Sequence, residues 1–134
     1  EMQKIKSKAK KNIEILGYQP DDVLIDLMQK AKAFVFAAEE DFGILPVEAQ
    51  ACGTPVICLA KGGARETVLE NETGIYFKEQ TLASLADTLI RYERLSDSFD
   101  FKVIRRHSEK FSSLRFENEI KLYIESKYNL FKGF

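Results

Sequence analysis

The sequence AAEEDFGILPVEAQACGTP, which runs from Ala37 to Pro55, decides the fold of this 134-residue chain. An apolar run at residues 33–37 leads into it and predicts a buried strand. Pro46 suits the first turn of a helix, where no backbone N–H is needed, and Gly53 suits a helix end. The stretch therefore predicts a strand, an acidic loop, a short helix and a stop.

The start of this helix predicts a binding site for phosphate. Ligands of open α/β sheets bind beyond the carboxyl ends of the strands. A helix N-terminus there offers free backbone N–H groups and a partial positive charge. Glu40 and Glu48, with seven residues between them, flank this position. Because carboxylates accept strong hydrogen bonds from hydroxyls, we expect a phosphorylated ligand with hydroxyl groups on both sides of the phosphate.

Composition limits the class of protein. The length suits one domain spanning residues 1–134, and a net charge of −1 gives no field that favours nucleic acid as a partner. Cys52, Cys58 and His107 do not form a metal-binding pattern, so we expect no metal and free thiols. Without a signal peptide or a long apolar run, a cytoplasmic location is expected. The chain opens without Met inside a helix-like run, so we expect it to be part of a longer protein.

Strands and helices are predicted to alternate along the chain. Strands are predicted at residues 12–16, 33–37, 56–59 and 74–77, and helices at 21–32, 66–69, 81–94, 101–110 and 114–127. We expect Asp21 or Asp22 to cap the first of these helices and His107 to lie at the surface. In the last helix the residues expected to face inward are Phe116, Ile120, Tyr123, Ile124 and Tyr128. The alternation predicts an α/β fold, a Rossmann-like parallel sheet with helices on both faces.

A second glycine-containing loop follows the strand at residues 56–59. Gly62 and Gly63 lead from it into a short helix, one strand-helix unit after the acidic loop. Because glycine permits close backbone approach, this loop is expected to meet the acidic loop at the carboxyl edge of the sheet.

The two glutamates also suit a glycosidase, but the spacing favours another role. That mechanism needs two carboxyl groups about 5–10 Å apart that face each other across one bond. Glu40 belongs to a loop and Glu48 to a helix, with the phosphate position between them. We therefore interpret them as separate hydrogen-bond acceptors, one for each polyol.

These residues resemble the E-x7-E signature of retaining glycosyltransferase family 4. Residues 40–49 carry the signature, and residues 53–57, residues 62–68 and Gly74 match the family's next blocks in order and spacing. The resemblance extends over about residues 12–89. The Glu-Asp-Phe-Gly form of the loop is similar to mannosyltransferases of surface-polysaccharide and O-antigen synthesis.

The resemblance implies a GT-B enzyme with two Rossmann-like domains, of which this chain would be the donor-binding C-terminal one without its first strand-helix unit. The implied reaction transfers a hexose, with mannose from GDP-mannose favoured, to a glycan or lipid-linked acceptor with retained configuration. The acceptor would be held by the N-terminal domain. No cofactor or metal is implied, and peripheral attachment of the full-length protein to the inner face of a membrane stays open.

The resemblance also implies roles for individual residues. Glu40 would hold hydroxyls of the transferred sugar and is the catalytic candidate, and Glu48 would accept hydrogen bonds from ribose hydroxyls. The other implied donor contacts are Phe42 and Gly43 at the sugar, Ile44 and Leu45 at the diphosphate, Gly17 and Tyr18 near the base, and Gly62 and Gly63 in the neighbouring loop.

Two rival hypotheses remain. One is a non-transferring GT-B protein such as a sugar-nucleotide epimerase, and the other is a nucleotide-binding module without catalysis. A receiver-type module is disfavoured, because glycine and tyrosine rather than acidic residues follow the strand predicted at residues 12–16.

We expect residues 1–134 alone to show negligible transferase activity. The family's Arg and Lys that clamp the diphosphate would precede Glu1, and stabilisation of the leaving charge is often the largest catalytic term. A radiolabelled-donor assay on this fragment measures it, and turnover above background would contradict the expectation.

Overall fold

The computed structural model describes residues 2–133. Its helices are α1 (Met2–Lys8), α2 (Asp21–Lys30), α3 (Ile44–Ala51), α4 (Ala64–Thr67), α5 (Leu82–Leu95), α6 (Phe101–Ser108) and α7 (Ser113–Lys132). Its strands are β1 (Phe34–Phe36), β2 (Val56–Leu59) and β3 (Gly74–Phe77), and short 3-10 helices follow α5 and α6 at Ser96–Ser98 and Glu109–Phe111.

The strands form one parallel sheet in the order β1-β2-β3. Every residue of the central strand β2 is buried, as its continuous apolar sequence predicts for a strand covered on both faces. Val56 and Cys58 pack on one face with Ala49 of α3, whereas Ile57 and Leu59 pack on the other. Met28 of α2 joins the first cluster, and Tyr92 and Leu85 of α5 join the second. The predicted α/β fold with helices on both faces is confirmed.

The strand predicted at residues 12–16 is wrong. These residues form no ladder, and β1 pairs only with β2 in the described part of the chain. Their polar-apolar alternation suits a strand, but a strand also needs the backbone of a neighbour for its hydrogen bonds. Ile13 and Leu16 consequently stay exposed, and the Leu16 carbonyl accepts a hydrogen bond from Gln19 Nε2 instead.

The start of α2 is correct, but its predicted cap is wrong. Pro20 occupies the N-cap position and makes no side-chain bond, while Asp21 is already the first helical residue. A carboxylate inside the first turn stabilises the helix through its dipole rather than as a cap. The helix also ends at Lys30 and not at residue 32.

His107 and α7 correct two predictions about burial. His107 was expected at the surface. It lies instead in α6, which packs against α3, and only 8% of the residue is exposed. Conversely, the side chains expected to face inward in α7 are exposed. Helical periodicity shows which residues share a face, but whether another element covers that face depends on distant parts of the chain. Of the helices described, none is both long enough and apolar enough to span a bilayer.

Gly74→Ala should destabilise the sheet. A Cβ at this position would lie 2.1 Å from the Val56 carbonyl oxygen, so β3 would have to move away from β2. We expect a loss of about 2–3 kcal/mol in the free energy of unfolding, measured by urea denaturation. Gly133→Ala is the matched control, since its Cβ would meet nothing closer than 3.6 Å. Equal stability of the two variants would contradict this packing.

Candidate functional site

The loops that follow β1 and β2 are in direct backbone contact. Gly63 N–H donates a hydrogen bond to the Glu40 carbonyl oxygen at 2.8 Å. A Cβ on Gly62 would lie 2.3 Å from the same oxygen, and a Cβ on Gly63 would lie 2.3 Å from the Asp41 carbonyl oxygen. Only glycine fits at these distances. The structure therefore brings Glu40 together with Gly62 and Gly63 at the carboxyl edge of the sheet.

The N-terminus of α3 opens beside this loop contact. Gly43 is the N-cap residue with φ of +75°, a conformation that glycine adopts easily, and it has no side chain to cap the helix. Within residues 2–133, the backbone N–H groups of residues 42–45 donate to no backbone carbonyl. The side chains of Ile44 and Leu45 point away from the core and are exposed. The N–H groups without a backbone acceptor thus include those of the exposed residues Ile44 and Leu45, whereas Gly43 itself is buried.

Glu48 belongs to α3 itself. It lines a groove of about 400 Å3 between α2, α3 and α6. The groove is also lined by Asp21, Leu24, Ile25, Met28, Gln29, Ala51, Cys52 and Arg105. Glu40 is exposed in its loop and does not line the groove. The two carboxylates thus lie in different surroundings, Glu40 in the loop before α3 and Glu48 in the groove, and neither forms an ion pair among the described residues.

Gly17 and Tyr18 are not brought into the groove. Tyr18 is 93% exposed, and a Cβ on Gly17 would meet nothing within 4 Å. Asp21, three residues after Tyr18, is the nearest residue of this segment that lines the groove.

Three residues at this edge were missed by the sequence analysis. Arg105 lines the groove, but nothing in its local pattern distinguishes it from Arg106. Gln50 is completely buried, and its Nε2 donates to the carbonyl oxygens of Pro46 and Thr67 at 3.0 Å each. The ring of His107 also reaches Thr67 O, at 3.1 Å from Nε2. A signal for His107 existed, since the apolar Ile104 lies three residues earlier, on the same face of the helix.

The groove has an internal reporter in Cys52. Burial and the neighbouring Glu48 carboxylate raise the pKa of its thiol, and the Arg105 guanidinium lowers it. Cys58 lies in the core, where burial raises its pKa to about 12. Cys52 is thus the thiol whose ionisation depends on the charges of the groove.

Glu48→Gln should speed the alkylation of Cys52 by iodoacetamide near neutral pH. Removal of the carboxylate lowers the thiol pKa, and the thiolate is the reacting form. Mass spectrometry of the labelled peptide measures the rate. Glu40→Gln is the control, because that carboxylate is not among the groups acting on Cys52. Equal rates in both variants would contradict the placement of Glu48 beside the thiol.

Comparisons of sequence identify relatives of this chain. Residues 2–106 match the family described as Glycosyl transferases group 1. A D-inositol 3-phosphate glycosyltransferase of Frankia alni is 46% identical over 55 residues, which cover 41% of this chain and 14% of that protein. The same-named protein of Corynebacterium efficiens is 36% identical over 80 residues, 59% of this chain and 19% of the relative. The chain thus spans less than a fifth of the length of these relatives.

Solved structures share the fold. Sucrose-phosphate synthase (tll1590) from Thermosynechococcus elongatus superposes with a TM-score of 0.77 at 24% identity, over 96% of this chain and 33% of that chain. HepE (Alr3699) of Anabaena, solved in complex with UDP-glucose, gives a TM-score of 0.64 at 26% identity, over 93% and 35%. The family match extends over residues 2–106, well beyond half of this chain, and the chain therefore belongs to the group 1 glycosyl transferases.

Proposed function

We propose that this chain is the donor-binding domain of a retaining hexosyltransferase that uses a nucleoside diphosphate sugar. The observation that carries the proposal is the N-terminus of α3, where the N–H groups of residues 42–45 have no backbone acceptor in the described chain and Ile44 and Leu45 are exposed. Exposed carboxylates stand on both sides of it in the sequence, at Glu40 and Glu48. The family membership supports the reaction class.

The diphosphate is proposed to bind at the start of α3. Ile44 and Leu45 supply N–H groups there, and the helix dipole adds about half a positive charge. Gly43 supports this turn by its φ of +75°, which glycine adopts easily, and a Cβ there would lie 3.4 Å from the Phe36 ring. The hydrogen bond from Gly63 N–H to the Glu40 carbonyl oxygen ties the acidic loop to the loop after β2.

The nucleoside is proposed to lie towards the groove and the sugar towards the loop. The groove of about 400 Å3 falls within the usual range for ligand pockets, and Leu24, Ile25 and Met28 give it an apolar wall. Glu48 would accept the ribose hydroxyls, with the base between it and the segment that leads to Asp21. Glu40 would accept hydroxyls of the transferred sugar.

The proposed reaction needs no protein nucleophile. The bond from the anomeric carbon to the diphosphate breaks while the acceptor oxygen bonds to the same face of that carbon, so the configuration is retained. The leaving diphosphate takes the acceptor proton. The backbone N–H groups at the start of α3 stabilise the negative charge that develops on it, which is the role of an oxyanion site. The proposal uses no cofactor or metal ion.

The donor proposed first is GDP-mannose, on the form of the loop at residues 40–43. UDP-glucose is the alternative, since HepE, 26% identical to this chain, was solved with it. The acceptor is proposed to be a glycan or a lipid-linked sugar held by another domain. Cys52 and Cys58 are both free, which suits the reducing cytoplasm that we propose for the protein, at or near the inner face of a membrane.

Glu40→Gln and Glu48→Gln in the full-length protein should each lower kcat/KM for the donor by about tenfold to a hundredfold. Each loses a charged hydrogen-bond acceptor for a hydroxyl, and such bonds contribute about 1.5–3 kcal/mol. Donor turnover is measured with a panel of nucleotide sugars that includes GDP-mannose and UDP-glucose. Glu39→Gln is the matched control, because it removes the same charge from the adjacent exposed residue.

Unchanged donor use in both Glu40→Gln and Glu48→Gln would contradict their roles. Conversion of the sugar nucleotide without any acceptor would instead support a non-transferring protein such as an epimerase. A preference for UDP-glucose over GDP-mannose would overturn the mannose assignment and leave the hexosyltransferase proposal in place.

A further inference from the structure

His107 of α6 is a buried polar ring next to the end of α4, the helix that follows the loop at Gly62 and Gly63. Only 8% of it is exposed, and its Nε2 lies 3.1 Å from the carbonyl oxygen of Thr67. A carbonyl oxygen only accepts, so Nε2 carries the hydrogen and donates. Burial of this polar ring is unfavourable unless such a bond is made, so the position is poorly explained by the filling of space alone.

The first connection from His107 to the acidic loop runs through α4. This helix is a single turn of four residues, from Ala64 to Thr67. His107 Nε2 donates a hydrogen bond to the carbonyl oxygen of Thr67, the last residue of α4, and Gln50 Nε2 donates to the same oxygen. At the other end, Gly63 is the N-cap residue of α4, and its N–H holds the Glu40 carbonyl oxygen. The single turn of α4 thus connects the His107 ring, through one hydrogen bond at each end, to the backbone of Glu40.

The second connection runs through two aromatic rings. The His107 and Phe111 rings meet edge to face, with centroids 5.7 Å apart. Phe111 in turn meets Phe42 edge to face at 5.9 Å. Phe42 lies between Glu40 and Gly43, so the second connection reaches the same loop as the first.

The geometry points to His107 as a positioning residue for the loop at residues 40–43, which it fixes from one side through α4 and from the other through Phe111 and Phe42. The consequence for donor binding rests on the function proposed above. The consequence for loop order does not, so the two can be tested apart.

Two variants separate the two connections. His107→Phe keeps an aromatic ring against Phe111 but loses the donor to Thr67, and His107→Gln keeps a donor but loses the ring. Tyr92→Phe is the matched control. Tyr92 is also buried, and its hydroxyl also donates to a backbone carbonyl, that of Lys32, but it belongs to the core cluster on the opposite face of the sheet.

Hydrogen–deuterium exchange of the full-length protein measures the order of the loops without any ligand. In His107→Phe we expect the amides of residues 60–68 to exchange about two- to tenfold faster than in the wild type, the effect of one lost hydrogen bond. In His107→Gln the faster exchange should be confined to the Gly63 amide, whose hydrogen bond to the Glu40 carbonyl oxygen reports the position of the acidic loop. Residues 74–77 of β3 serve as the internal reference, and in Tyr92→Phe neither loop should change relative to them.

Donor kinetics give the second measurement. Both His107 variants should raise the donor KM by about two- to tenfold and leave the acceptor KM unchanged, whereas Tyr92→Phe should change neither. Equal exchange of the loops and of β3 in every variant would overturn the positioning role. Faster loop exchange with an unchanged donor KM would overturn its consequence for binding. If the wild type used no nucleotide sugar at all, the proposed function would fail, and the exchange measurement alone would decide the role of His107.

Discussion

One backbone hydrogen bond, from Gly63 N–H to the Glu40 carbonyl oxygen at 2.8 Å, joins the two loops at the edge of the sheet. It can form because β1 and β2 are parallel neighbours, so both loops leave the same edge. It also requires that Gly62 and Gly63 carry no Cβ, since either Cβ would overlap the backbone of the acidic loop. Through this bond the loop after β2 fixes the backbone of Glu40.

The parts that the sequence predicted well are those whose pattern is complete within a few residues. The limits of β2 and β3 coincide with the prediction, because a short apolar run is bounded by proline or glycine on at least one side. The helix α3 was predicted from Pro46 and Gly53, and Gly53 indeed has φ of +85° just beyond its end. The meeting of the two glycine loops followed from the parallel topology.

The parts that failed depend on partners elsewhere in the chain. Residues 12–16 have the alternation of a strand but no neighbouring strand to pair with among the residues described. His107 sits in a charged, polar helix, yet α6 turns it towards α4 because Ile104 on the same face is buried in the core. The apolar face of α7 follows the rule for an inward face and is nevertheless exposed. In each case the local pattern is present in the sequence, but whether the residues are buried or paired depends on contacts with residues far away in the chain.

The proposed phosphate site is made of backbone, and this limits what it can contribute. A helix N-terminus carries about half a positive charge, which is less than the charge of a diphosphate. The start of α3 can therefore orient the diphosphate and select a terminal group, but it cannot neutralise it. Arg105 is the cationic side chain among the residues that line the groove, and its charge there is opposed by the Glu48 carboxylate, since the two shift the pKa of Cys52 in opposite directions. If a diphosphate binds there, this groove offers it orientation by the helix start, and the proposal then requires further cations from outside the groove for charge compensation.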